Sequence, residues 1–150
     1  MFTWTGRCVQ NSRLFRIRNG SGLVQPEPSG TPAESSRYTG DLDLLIRPAP
    51  ENAGRIITTL SQFGFSGLGI TAADLCSPDT VVQLGVAPNR IDLLTSISGV
   101  TFDEAWNSRQ EAALEGIPTR FIGRDALLRN KESTGRMRDL GDAAELRRRG

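Results

Sequence analysis

Asp41-Leu42-Asp43-Leu44-Leu45-Ile46 sets two carboxylates, one residue apart, at the head of an apolar run. The run Leu42–Ile46 has the length and character of a buried strand, and strand side chains alternate between faces. Asp41 and Asp43 therefore point the same way, close enough to share one cation. Two like charges that close are costly unless a metal or a cationic partner offsets them. A second apolar strand, Arg90-Ile91-Asp92-Leu93-Leu94, carries a third carboxylate. If the two strands are sheet neighbours, Asp41, Asp43 and Asp92 form a hard-oxygen site of the kind that holds Mg²⁺ or Mn²⁺ with substrate phosphates. Two plainer readings stand beside this one. Asp41 and Asp43 can mark a turn at the start of a solvated edge, and Asp92 can pair with Arg90 on its own face.

Composition removes several alternatives. The chain has no histidine, which excludes Ser-His-Asp and Cys-His catalysis and histidine metal sites. Its cysteines, Cys8 and Cys76, are too few and too far apart for a disulfide framework or a zinc pattern. A net charge of +1 gives no overall electrostatic case for nucleic acid or membrane. No apolar run approaches the roughly 20 residues of a membrane span, and no signal-peptide core is evident, so a cytoplasmic location is expected.

The 150 residues suit one domain, with a change of composition near residue 36. Positions 19–36, NGSGLVQPEPSGTPAESS, have too little apolar surface to offset their ordering entropy, so 1–36 is read as a flexible segment. Within it Leu14–Arg18 allows a short strand. From Arg37 to Gly150 the pattern is that of an α/β domain. A strand at 41–47 precedes a helix whose stripe is Ala53, Ile56, Ile57, Leu60 and Phe63, opened by Pro50 and stopped by Gly64. Thr71 and Asp74 cap a short helical turn. Val81–Val86 and Arg90–Thr95 form a hairpin across Ala87-Pro88-Asn89. Thr101 with Glu104 is a capping box, predicting a helix to about Ala113. A strand at Ile117–Ile122 and helices at 125–133 and 136–149 complete the pattern.

Lys131 is the single lysine among 18 basic residues. It reads either as a solvated helix residue or, with Arg136, as a phosphate-facing cation. Phe102 and Trp106, four apart on one helix, read as core rather than as a base-stacking platform. Gly20-Ser21-Gly22 lacks the flanking strand and helix of a phosphate loop.

Several of these stretches together resemble the small stand-alone bacterial nucleotidyltransferases of the polymerase-β-like superfamily, the group that includes AbiEii-type toxins. The resemblance rests on Arg37-x-Thr39-x-Asp41-Leu42-Asp43-Leu44 and Pro88-Asn89-Arg90-Ile91-Asp92-Leu93-Leu94-Thr95. It continues through Gly99-Val100-x-Phe102-x-x-Ala105-Trp106 and Leu128-x-Asn130-Lys131-x-x-x-Gly135-Arg136-x-x-Asp139-Leu140. It implies an α/β (α+β) fold, a mixed sheet flanked by helices, with Mg²⁺ or Mn²⁺ at the site. Asp41 and Asp43 would be paired ligands and Asp92 the third acid and catalytic base. Lys131, Arg136, Arg37 and Thr39 would contact the nucleoside triphosphate substrate. The acceptor class would include tRNA or protein, and an antitoxin would be the partner.

The chain departs from that family ahead of the aspartate pair. There the family has a strand, a Gly-Gly or Gly-Ser turn and a helix, with backbone N–H groups holding phosphates. Here the turn positions fall near Pro26 and Glu27, and neither Pro26 nor Pro28 has an N–H to donate. The strand-turn-helix is therefore expected to be missing. The alternative function is accordingly a catalytically impaired remnant, serving as a binding module or representing a gene fragment.

Overall fold

The computed structural model describes residues 14–17, 41–86, 90–114 and 117–148, with backbone alone at 14–17, 41, 113, 114 and 117. Among these, β1 (Leu14–Ile17), β2 (Asp41–Ile46), β3 (Val81–Leu84), β4 (Arg90–Leu94), β5 (Gln110–Leu114) and β6 (Ile117–Phe121) form one mixed sheet ordered β3-β4-β2-β1-β6-β5. Five α-helices are described: α1 (Pro50–Gln62), α2 (Ala72–Cys76), α3 (Phe102–Asn107), α4 (Arg124–Thr134) and α5 (Met137–Arg148). No helix among the described residues is long and apolar enough to cross a membrane.

Strand alternation divides the core in two. Leu44 and Ile46 of β2, Leu93 of β4 and Leu84 of β3 pack against Ala53, Ile56 and Leu60 of α1 and Leu75 of α2. On the opposite face Leu45 packs with Val100, Ala105, Ile122, Ala126, Leu127 and Leu146, drawn largely from α3, α4 and α5. β2 lies inside the sheet, between β1 and β4, so its residues 44–46 are buried on both faces. The reading of Asp43 as part of a solvated edge therefore fails.

Local signals account for several helix ends. Pro50 occupies the first turn of α1, and Gly64 lies just beyond it at φ +86°, a conformation that costs glycine little. Thr71 and Thr101 accept from the amides of Asp74 and Glu104 and receive the reciprocal carboxylate contact, closing two capping boxes. Asn130 Nδ2 donates to Ser98 O at 2.9 Å, tying α4 to the turn before α3.

The helix predicted to about Ala113 is shorter than that. α3 stops at Asn107, and Gln110–Leu114 forms β5, antiparallel to β6. Ser108 caps the end, its Oγ donating to Glu104 O at 2.8 Å. Beyond it the backbone satisfies itself in a ladder with β6 instead of a continuing helix. Here tertiary pairing overrides the helical preference of Gln110-Glu111-Ala112-Ala113-Leu114.

β1 pairs antiparallel with β2 and parallel with β6, joining the two halves of the sheet. Those four residues of the first 36 belong to the folded body. Positions 1–13 and 18–40 lie outside the described residues, and with them the flexibility expected there, the phosphate-turn positions and the sites Arg37 and Thr39.

Phe102 and Trp106 stack with centroids 5.9 Å apart at 17°, half-buried against the second core cluster. Arg47 lies over Phe102 at 4.4 Å, while Arg109 and Arg120 lie 4.6 and 5.3 Å from the Trp106 centroid. The guanidinium groups plate the rings, so the pair acts as core edge.

Candidate functional site

β2 and β4 run parallel, with Asp41 opposite Arg90, Leu42 opposite Ile91 and Asp43 opposite Asp92. The condition set by the sequence, that the two acid-bearing strands be neighbours, is met. Asp43 is 2% exposed and Asp92 6%. Adjacent strands lie about 4.8 Å apart, so the two side chains stand shoulder to shoulder on one face. At that separation and an effective dielectric of about 20, two full charges repel by roughly 3 kcal/mol.

Arg90 supplies part of the compensation. Its Nε lies 3.0 Å from Asp92 Oδ1, an ion pair by distance whose N–H is not aimed at the oxygen. The pairing of Asp92 with Arg90 read from their shared face is thus present, and it coexists with the Asp43–Asp92 adjacency. A divalent cation fits this donor set chemically, since buried carboxylate oxygens are hard ligands and a cation shared between them would relieve their mutual repulsion. Asp41 takes its place in β2 by backbone pairing, and its side chain lies outside the described set. Among the described residues no group of three or more metal-ligating side chains occurs.

On the carboxylates' face, the neighbouring pair is packed under helices. Leu45 and Leu94, the next pair along β2 and β4, belong to or pack against the cluster under α3–α5. No β3 residue contributes to that cluster. Val81, opposite Leu94, is 52% exposed, and Gln83, opposite Asp92, is exposed as well. This face is thus exposed at β3, while the carboxylates beside it are almost wholly buried.

Lys131 is placed elsewhere than either sequence reading suggests. It is 4% exposed, its Nζ 3.3 Å from Asp139 Oδ1 and 3.0 Å from Asp142 Oδ2 on α5. Thr134 Oγ1 donates to the other Asp139 oxygen at 2.7 Å. Burial raises the Asp139 pKa, but the Thr134 hydroxyl and the Lys131 ammonium outweigh it and hold the group below 3.8. Lys131 therefore clamps α5 to α4. Gly135, at φ +66°, makes the break between the two helices, and Arg136 beside it is exposed. The spacing of Asp139 and Asp142, three apart on a helix after a glycine stop, was the available signal for this clamp.

Other positions of the sequence pattern also have packing roles. A Cβ on Gly99 would come within 2.0 Å of Ser133 Oγ, so the turn before α3 sits directly on α4. A Cβ on Gly123 would meet Ser108 O at 2.0 Å, where the end of α3 abuts the start of α4.

Comparison with known proteins gives no match: no family model, curated protein or solved structure aligns significantly with the chain.

Proposed function

We propose that the chain is a metal-dependent nucleotidyltransferase of the polymerase-β-like kind, moving a nucleoside monophosphate from an NTP to an acceptor hydroxyl or phosphate. The observation that supports this most is the parallel register placing Asp43 beside Asp92, both buried, on interior strands of the sheet. Asp43 and Asp92, with Asp41 two residues upstream in β2, would hold Mg²⁺ or Mn²⁺. The ion would supply charge neutralisation at the triphosphate and orientation of the acceptor.

The chain's own groups divide the remaining work. Arg90 lies against Asp92 Oδ1, and Asp92 Oδ2 would take the acceptor's proton. The acceptor oxygen then bonds to the α-phosphorus, the bond to the β-phosphate breaks, and pyrophosphate leaves. Arg136, exposed at the α4–α5 break, would be a triphosphate contact, whereas Lys131 is engaged by two carboxylates.

That engagement favours a second reading, a nucleotidyltransferase-fold remnant that binds nucleotide without transferring it. Incubation with α-labelled NTPs, bulk tRNA and protein separates the two. Transfer of label that disappears in Asp43→Asn and Asp92→Asn is expected for the enzyme. Metal-dependent nucleotide binding without transfer would establish the remnant, and neither result would remove both.

A further inference from the structure

We propose that Gln83, with Val81, forms the subsite for the nucleoside part of the nucleotide held at Asp43 and Asp92. The inference rests on the nucleotidyltransferase reading and adds a specificity-determining residue to it. Gln83 on β3 lies opposite Asp92 on β4, which lies opposite Asp43 on β2. Partners in register share a face, so the three side chains form one polar row across three strands. Val81 stands two residues along the same face, opposite Leu94. Val82 and Leu84 turn the other way, into the first core cluster.

The burial of the row is graded. Asp43 and Asp92 are 2% and 6% exposed, while Gln83 and Val81 are exposed and unclaimed by the helices over this face. Among the described residues Gln83 has no side-chain hydrogen-bond partner, although its neighbours in the row are charged groups. A carboxamide presents a donor and an acceptor together, which suits a base edge or a ribose hydroxyl and offers a phosphate nothing that Arg90 does not offer better. Val81 supplies apolar floor beside it for the flat face of a sugar or base. The β3 row begins about one strand spacing, ~4.8 Å, beyond Asp92, a step that separates the metal-bound phosphates from the nucleoside.

The test compares two ligands that differ only by the nucleoside. Wild type, Gln83→Leu, Gln83→Asn and Asp43→Asn are titrated calorimetrically with Mn²⁺–tripolyphosphate and with the Mn²⁺ complexes of ATP, GTP, CTP and UTP. Gln83→Leu is expected to bind tripolyphosphate as wild type does and the preferred NTP roughly three- to tenfold more weakly. Gln83→Asn should recover part of the loss, which a purely structural role for the side chain would not produce. Equal affinity of wild type and Gln83→Leu for every NTP, or parallel loss of tripolyphosphate and NTP binding, would overturn the subsite. Unchanged tripolyphosphate binding by Asp43→Asn would instead overturn the metal-site reading beneath it, and the subsite with it.

Discussion

Asp43 stands directly opposite Asp92 across the parallel β2–β4 pairing, and both carboxylates are almost wholly removed from solvent. Interior positions of a sheet ordinarily go to Val, Ile or Leu, as they do at Leu44, Leu45, Ile46 and Leu93 around this pair. Two buried acids side by side lower the stability of the bare fold, and Arg90 offsets part of that cost. A cation shared by the pair would offset more of it, and so links ligand binding to folding.

The first expectation follows from that linkage. Mn²⁺ with nucleotide should raise the melting temperature of wild type, with a shift that grows with ligand concentration. Asp92→Asn should melt no lower than wild type without metal, since it removes one of two repelling charges while Arg90 stays partly solvated. It should also show a smaller shift on adding metal and nucleotide. Thermal scans with and without Mn²⁺ and ATP check both.

The Lys131 clamp carries the second. Lys131→Met leaves Asp139 and Asp142 facing each other without their cation and should cost about 3 kcal/mol at pH 7 in urea unfolding. Asp139 is held below 3.8 in the folded state, so its contribution is present above 3.8 and lost as pH falls through the folded value. The deficit of Lys131→Met should therefore shrink on acidification below pH 3.8.

A third concerns Glu104. The Thr101 amide and hydroxyl, with Arg129 adding to them, lower its pKa from 4.5 to about 2. The stabilisation it gives α3 is complete above pH 4.5 and lost between there and about pH 2. Glu104→Gln should be less stable than wild type at pH 7, and the two should converge near pH 2. An NMR titration of the Glu104 side-chain carbonyl reads the shifted value directly.

Glycine substitutions test the packing of α3 against α4. Gly123→Ala would drive its Cβ to within 2.0 Å of the Ser108 carbonyl oxygen, and backbone there cannot give way cheaply. A loss of about 2 kcal/mol or more is expected. Gly54, inside α1, has nothing within 4 Å of where an alanine methyl would stand, so Gly54→Ala should stabilise by about 0.5–1 kcal/mol. Chemical denaturation of the two variants beside wild type gives both values.

Much of the fold was legible because its signals are local. Pro50, Gly64 and the two Thr capping boxes bound their helices within a few residues, and the apolar runs at 42–46 and 91–94 mark the two acid-bearing strands. β5 was not legible, because Gln110–Leu114 favours a helix in isolation and becomes a strand only by pairing with β6. The central position of β1 depends on partners at 43–46 and 121, which nothing in its own composition announces. At the site, strand alternation and the hairpin order pointed to Asp43 and Asp92 as neighbours. The spacing of Asp139 and Asp142 marks one acidic helix face, but its pairing with Lys131, 8 and 11 residues away on another helix, is set only by tertiary packing.

The most direct measurement is Mn²⁺ binding by electron paramagnetic resonance, following loss of the free-ion signal with and without ATP. Wild type and Asp125→Asn, which alters an exposed acid on α4, are expected to bind alike. Asp43→Asn and Asp92→Asn should each leave most of the ion free at concentrations where wild type binds it. Indistinguishable binding by wild type and both site variants would contradict a metal–nucleotide site on β2 and β4.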